Sequence, residues 1–247
     1  MRTDVGHVRE KNEDALALLS MNRITLAMIA DGMGGHLAGD VASQLAVDRI
    51  AQALRGLPEG VREEEAAAAL LAAVREANLA VYERARGDER YRGMGTTLVC
   101  LLLGEDWGWL CHVGDSRGYL LRQGELSQLT RDHSLVNELL KSGQITPEEA
   151  TNHPQRNVLM RALGTDEEVQ AELQPVHPQP GDLFLLCSDG LSTSLSAKDL
   201  REVLQSEHSL SVKADQLLQK ALQLGGSDNI SLILLPHAPL SATAANG

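Results

Sequence analysis

Aromatic side chains are almost missing from this sequence, with one Phe, two Trp and three Tyr in 247 residues. A core built on rings is excluded, so the interior must rest on Leu, Val, Ile and Ala, within a hydrophobic share of 43%. Long apolar runs are missing too. The longest strictly apolar stretch, Ala66–Val74, is far below the ~20 residues that span a bilayer. Glu63, Glu64 and Glu65 precede it, as suits the first turn of a soluble helix. No basic segment followed by an apolar one opens the chain, so no signal peptide is expected. Cysteine is scarce and odd in number. Cys100, Cys111 and Cys187 all sit in apolar runs, which predicts buried, reduced thiols and a cytoplasmic location.

Positive charge is in deficit, with a formal net charge of −12. That disfavours nucleic acid, whose affinity comes largely from neutralising phosphates with Lys and Arg. It also removes the basic stripe that a two-metal nuclease needs. It leaves phosphate chemistry open, because bound divalent cations reverse the local sign of an acidic pocket. No Cys/His spacing suggests zinc, no EF-hand loop is present, and there is no internal repeat or low-complexity linker.

What is there is a series of short apolar runs punctuated by glycine. Leu26–Ala30 reads as a buried strand that stops at Asp31-Gly32. Asp40 is placed to cap a helix running to about Leu54, and a second helix is expected over Arg62–Arg86. Leu98–Leu103, Trp107–Val113, Gly118–Arg122 and Glu125–Leu129 read as successive strands, and Leu183–Cys187 and Ile230–Leu235 as two more. Helices are expected at Ala197–Gln205 and Ser211–Leu222. The stretch 135–163 is polar, short-helical and broken by Gly143, Pro147 and Pro154, and the tail from about 236 to 247 is expected to fray. Two adjacent long helices and a meander of strands do not alternate as βαβ units do. A single layered α+β domain is expected over 1–247.

Aspartates gather at strand ends. Asp31 ends LAMIADG, Asp115 follows WLCHVG, Asp189 follows LFLLCS, and Asp228 precedes ISLIL; Glu13 and Asp14 precede the early run ALALL. One Asp-Gly pair alone reads as a turn. Three apolar strands that each release an Asp beside a Gly are a different matter. Brought together, their carboxylates would repel severely unless cations lay between them. An all-carboxylate set selects hard cations such as Mg²⁺, Mn²⁺ or Ca²⁺.

The segments GHVREKNEDA, ADGMGGHLAG, GMGTTLVC, HVGDSRGYL, DHS, CSDGL and GGSDNIS occur in the order seen in the PPM family, the type 2C metal-dependent protein phosphatases. The chain resembles that family, in its bacterial branch, from about Gly6 to Leu235. The resemblance implies a four-layer α-β-β-α sandwich with a small flap insertion at 135–163. It implies hydrolysis of phosphoserine and phosphothreonine on proteins by a water activated between two Mn²⁺ or Mg²⁺ ions. Phosphorylated proteins would be the substrates and a Ser/Thr kinase the plausible counterpart. Nucleic acid and membrane are not expected as partners, and a monomer is.

The same resemblance implies residue roles. Asp31 would bridge two metals, and Asp189 and Asp228 would complete the first site. The Gly32 carbonyl would join the second, with Glu13 and Asp14 bound directly or through water. Asp115 would help Asp189 hold a third metal, and Arg9 would grip the substrate phosphate; read alone, Arg9 is a solvated surface charge. Where some relatives carry a histidine after Asp-Gly, this chain has Met33. His36 is the candidate for protonating the leaving alkoxide, against a structural role for it or a water as the acid. The flap reads as a gate over the site or as a packed elaboration.

Two rivals compete. Cys111–Arg117 spells C-x-x-G-x-x-R, the phosphate loop of cysteine-dependent phosphatases. Against it, Cys111 lies inside an apolar run where burial makes a thiol inert, and Asp115 would put a carboxylate in the anion cradle. The other rival is a phosphatase-like regulatory module without activity. Such modules typically lose metal aspartates, and here all are present.

Overall fold

The structure, a computed structural model, describes residues 1–34, 38–151 and 153–237. One antiparallel sheet has the order β1-β11-β10-β7-β8, formed by Arg2–Asp4, Ile230–Pro236, Leu183–Cys187, Arg117–Arg122 and Glu125–Gln128. The other has the order β2-β3-β5-β6-β9, formed by Asp14–Met21, Ile24–Met33, Leu98–Leu103, Gly108–Val113 and Glu172–Val176, with β4 (Gly95–Thr96) paired to the end of β3. Helices α1 (Gly39–Leu54) and α2 (Glu63–Gly87) cover the second sheet, and α5 (Asp189–Ser192), α6 (Ala197–Gln205) and α7 (Leu210–Gln223) cover the first. Between β8 and β9 run α3 (Leu135–Lys141) and α4 (Pro147–Thr151).

The layers follow from the period-two alternation of strands buried on both faces. In β3, Leu26, Met28 and Ala30 pack toward α1 and α2, while Ala27 and Ile29 face the other sheet. In β5, Leu98, Cys100 and Leu102 face the helices and Val99, Leu101 and Leu103 face inward. In β10, Leu183, Leu185 and Cys187 face α5–α7, while Phe184, the one Phe, sits fully buried between the sheets. Three apolar layers thus separate four structural layers, the expected sandwich. Each fully buried Leu contributes roughly 1.5–3 kcal/mol of transfer free energy, which offsets the scarcity of rings.

Some expectations are corrected. Strand β3 does not stop at Asp31-Gly32 but continues to Met33, because Gly32 and Met33 pair with Thr96 and Gly95. Asp40 is not the cap of α1: Ala38 holds that position, and the Asp40 carboxylate accepts from the Val41 N–H at 2.8 Å within the first turn. Asp189, just past the end of β10, opens the short helix α5. Strands β1 and β9 carry no clear apolar signal, being short and half-exposed; Pro175 is tolerated in β9 because that strand lies at a sheet edge. Of the tail expected to fray, Pro236 closes β11 and His237 bonds to Asp182, while 238–247 lie outside the described residues.

The pairing register fixes where the acidic residues meet. Asp14 lies opposite Asp31 in the β2–β3 ladder. Cys187, one residue before Ser188-Asp189, lies opposite both Arg117 and Leu232, so the β6–β7 turn, the end of β10 and the start of β11 share one end of the sandwich.

Candidate metal centre

At that end opens a cleft of about 470 Å³, with Arg9, Glu13, Asp31, Gly32, Asp115, Asp189 and Asp228 among its lining residues. Asp14 is not among the lining residues but pairs with Asp31 in the ladder. Its Oδ2 accepts from the Ser188 hydroxyl at 2.8 Å, and that hydroxyl in turn accepts from the Ser231 N–H at 2.9 Å. The structure therefore gathers the sequence-selected acids from both sheets. His36 lies outside the described residues.

The backbone carrying Asp31 is clamped. Its N–H donates to Thr97 Oγ1 at 2.9 Å, and its carbonyl accepts from both the Thr97 N–H and the Thr96 hydroxyl at 2.9 Å. Thr97 Oγ1 also lies 2.7 Å from Ser116 Oγ, which links Asp31 to the loop bearing Asp115. Buried Asn229 accepts from the Glu13 N–H at 2.7 Å and donates to the carbonyls of Val5 and Lys11, each at 2.9 Å. It straps the N-terminal segment, with Arg9 and Glu13, onto the start of β11. Sequence reasoning missed Asn229, Thr97, Ser116 and Ser188 as site-builders. Their signal was present as neighbours of the aspartates within the quoted motifs, but a buried polar network is visible only in three dimensions.

The acids are strained as a group. Burial pushes Asp14 and Asp115 up to about 7 and Asp189 up to about 6, and the neighbouring carboxylates add to each shift. Asp31 lies well above the carboxylate range, from burial and then from Asp14, Asp189, Asp115 and Asp228 around it. Asp14 Oδ1 and Asp189 Oδ1 are buried and without a hydrogen-bond partner among the described residues. Crowded, desolvated carboxylates with orphaned oxygens are what hard divalent cations satisfy, so the donor set fits Mn²⁺ or Mg²⁺. One counter-charge lies at the rim: Arg9 Nη2 donates to Asp228 Oδ2 at 2.8 Å, the only engaged atom of that guanidinium among the described residues.

The rival loop has no such chemistry. Cys111 is fully buried inside β6, and burial pushes its thiol up to about 12, so it holds its proton and cannot attack. The polar stretch 135–163 approaches the cleft through Asn157 and Leu159.

The family model for Protein phosphatase 2C matches residues 6–223. The serine/threonine phosphatase stp of Listeria monocytogenes is 42% identical over 235 residues, covering 95% of this chain and 93% of that protein. The crystal structure of the Mycobacterium tuberculosis serine/threonine phosphatase PstP/Ppp aligns with a TM-score of 0.86 at 43% identity, over 96% of this chain and 97% of that one. A structure of the PstP catalytic domain in complex with two manganese ions aligns with a TM-score of 0.83 at 41% identity, over 94% of each chain.

Proposed function

From the premise that this chain belongs to the protein phosphatase 2C family and is a metal-dependent serine/threonine protein phosphatase, we propose the following division of labour at the cleft. Asp31 serves two cations, Asp189 and Asp228 complete the first site, and the Gly32 carbonyl, Glu13 and Asp14 form the second, the two acids directly or through water. Asp115, with Asp189, holds a third. The two manganese ions bound by the PstP catalytic domain support the binuclear part of this reading. When bound, the cations supply the acidity that makes water a nucleophile near neutral pH and offset the charge of the phosphoryl oxygens.

The chain's own residues position and select. Arg9 offers a forked guanidinium at the cleft mouth, suited to two phosphate oxygens at once. Thr96 and Thr97 hold the backbone of Asp31, and Asn229 that of Glu13, so that little reorganisation accompanies binding. The substrates are phosphoserine and phosphothreonine proteins, which are by their chemistry the products of a Ser/Thr kinase, so such a kinase is the counterpart activity. Nucleic acid and membrane are not partners. A single copy suffices, since every proposed ligand and Arg9 come from one chain. The cytosol is the fitting compartment for three buried, unpaired thiols. We take 1–247 as one catalytic domain, with 135–163 as its flap.

The observation that carries the metal reading is the orphaned, up-shifted carboxylate cluster. Chelation is expected to abolish hydrolysis of a phosphothreonine peptide, and Mn²⁺ to restore it; Asp31→Ala is expected to be nearly inactive at any Mn²⁺ concentration. Full turnover in chelator-treated protein would overturn the assignment.

A further inference from the structure

We infer that His133 is a positioning residue of the metal centre: it clamps the loop that carries Asp115 and joins that loop to the end of the 135–163 segment. The inference rests on the reading of Asp115 as a metal ligand. His133 is only 6% exposed. Its N–H donates to the Gly114 carbonyl at 2.9 Å, and its Nδ1 accepts from the Gly114 N–H at 3.2 Å. One residue thus holds both polar backbone atoms immediately before Asp115. Gly114 needs such a hold, because its φ of 98° is a conformation that glycine alone adopts freely, and a Cβ there would lie 2.7 Å from Thr97 Cγ2. The carbonyl of His133 accepts from the Met160 N–H at 2.7 Å, and next to it the Leu135 N–H donates to the Val158 carbonyl at 2.9 Å. Leu159, between those two flap residues, lines the cleft. His133 thus bonds both the Asp115 loop and the flap end, beside the Leu135–Val158 contact.

The ring is set for this role. It stacks on His112 at 4.7 Å between centroids, and its Nε2 faces Glu172 Oε1 at 3.1 Å, a contact bent off the ideal hydrogen-bond line. Burial, then the neighbouring His112, lowers the pKa of His133, so the ring is neutral near pH 7. A neutral ring that accepts at Nδ1 carries its proton on Nε2, where the Glu172 carboxylate favours it. That tautomer also argues against a further metal on His112, His133 and Glu172, although candidate ligand atoms of the three lie within 4.8 Å of one another. A metal on Nε2 would need the lone pair that the proton occupies.

The test is a Mn²⁺ titration of aryl phosphate hydrolysis, with thermal melts, on His133→Ala, His133→Asn, Glu172→Ala, Asp115→Ala and the His133→Ala/Asp115→Ala double variant. His133→Ala is expected to raise the Mn²⁺ needed for half-maximal rate by about 10-fold, the low end for residues that orient metal ligands. His133→Asn, whose Oδ1 can accept from Gly114, is expected to recover most of that loss. Glu172 is half-exposed, so Glu172→Ala should fold and shift the curve in the same direction, which carries the test if His133→Ala does not fold. The double variant is expected to be no worse than Asp115→Ala. A wild-type Mn²⁺ curve for His133→Ala beside a shifted curve for Asp115→Ala overturns this inference alone. So does a folded His133→Asn as impaired as the Ala variant. An unshifted Asp115→Ala overturns the ligand reading, and this inference with it.

Discussion

Cys111 and Arg9 show why residue type alone misleads. Cys111 has the spacing of a catalytic thiol, yet it sits fully buried in the middle of a strand, paired with Cys100 in the ladder. Cys111→Ser is expected to keep most of its turnover and to lose about 1–3 kcal/mol of stability, the cost of burying a hydroxyl. A folded but inactive variant, or a trapped phosphocysteine, would restore the thiol mechanism. Arg9 by contrast has the sequence context of an ordinary surface charge and is half-exposed, but its guanidinium meets Asp228 at the cleft. Arg9→Ala is expected to lower kcat/KM on a phosphothreonine peptide by roughly 10- to 150-fold, from a charge-assisted contact of about 1.5–3 kcal/mol. Arg9→Lys, which keeps the charge and loses the fork, should fall between. Steady-state kinetics on the three proteins decides it, and an unchanged Ala variant returns Arg9 to the solvent.

Between residue and fold, the glycines mark where elements press together. Gly32 is part of a strand with no left-handed backbone, so its need for glycine is steric. A Cβ there would lie 2.0 Å from the Gly39 carbonyl oxygen at the start of α1 and 2.7 Å from that of Glu13. At Gly190, in α5, it would lie 2.0 Å from the Asn229 carbonyl oxygen. These contacts bring β3, α1, α5 and the start of β11 close enough for their acids to share one cleft. Gly32→Ala is expected to cost about 1–3 kcal/mol of stability through overpacking and to raise the Mn²⁺ requirement, because α1 must move away from β3. Melts and a Mn²⁺ titration read the two effects. A variant with wild-type values for both would mean that the two elements have slack.

Across the whole molecule, the acid cluster makes folding and metal binding one equilibrium. Without metal, burial and then neighbouring carboxylates push Asp14 and Asp115 up to about 7 and Asp189 up to about 6. The unfolded value is about 3.9, so the folded values are raised. The stability these groups contribute is therefore full below about pH 4 and is lost as pH rises through about 6 to 7. Chelated protein is expected to melt lower at pH 8 than at pH 6, and added Mn²⁺ to raise Tm more at pH 8. Melts across that range with and without Mn²⁺ check the sign. A chelated protein more stable at pH 8 would mean that these carboxylates do not repel as placed.

The sequence by itself determined a layered α+β class and the inventory of acids, and its resemblance to the PPM family implied the four layers. Apolar runs such as Leu98–Leu103 and Leu183–Cys187 read as buried strands, and the ordered motifs around Asp31, Asp115, Asp189 and Asp228 marked the chemistry through their resemblance to the PPM family. Local pattern carries that information because burial periodicity and strand-end glycines are short-range features. It did not carry β1 or β9, whose pairing comes from neighbours far along the chain, nor the network of Thr97, Ser116, Asn229 and His133. Those residues hold the site through partners as distant as Asn229 to Glu13, and a polar side chain's role depends on what is buried beside it. Only the tertiary structure decided that Asp14 lies opposite Asp31 and that the Asp115 loop is held by His133, because antiparallel register and close glycine contacts, set by the whole sandwich, fix those positions.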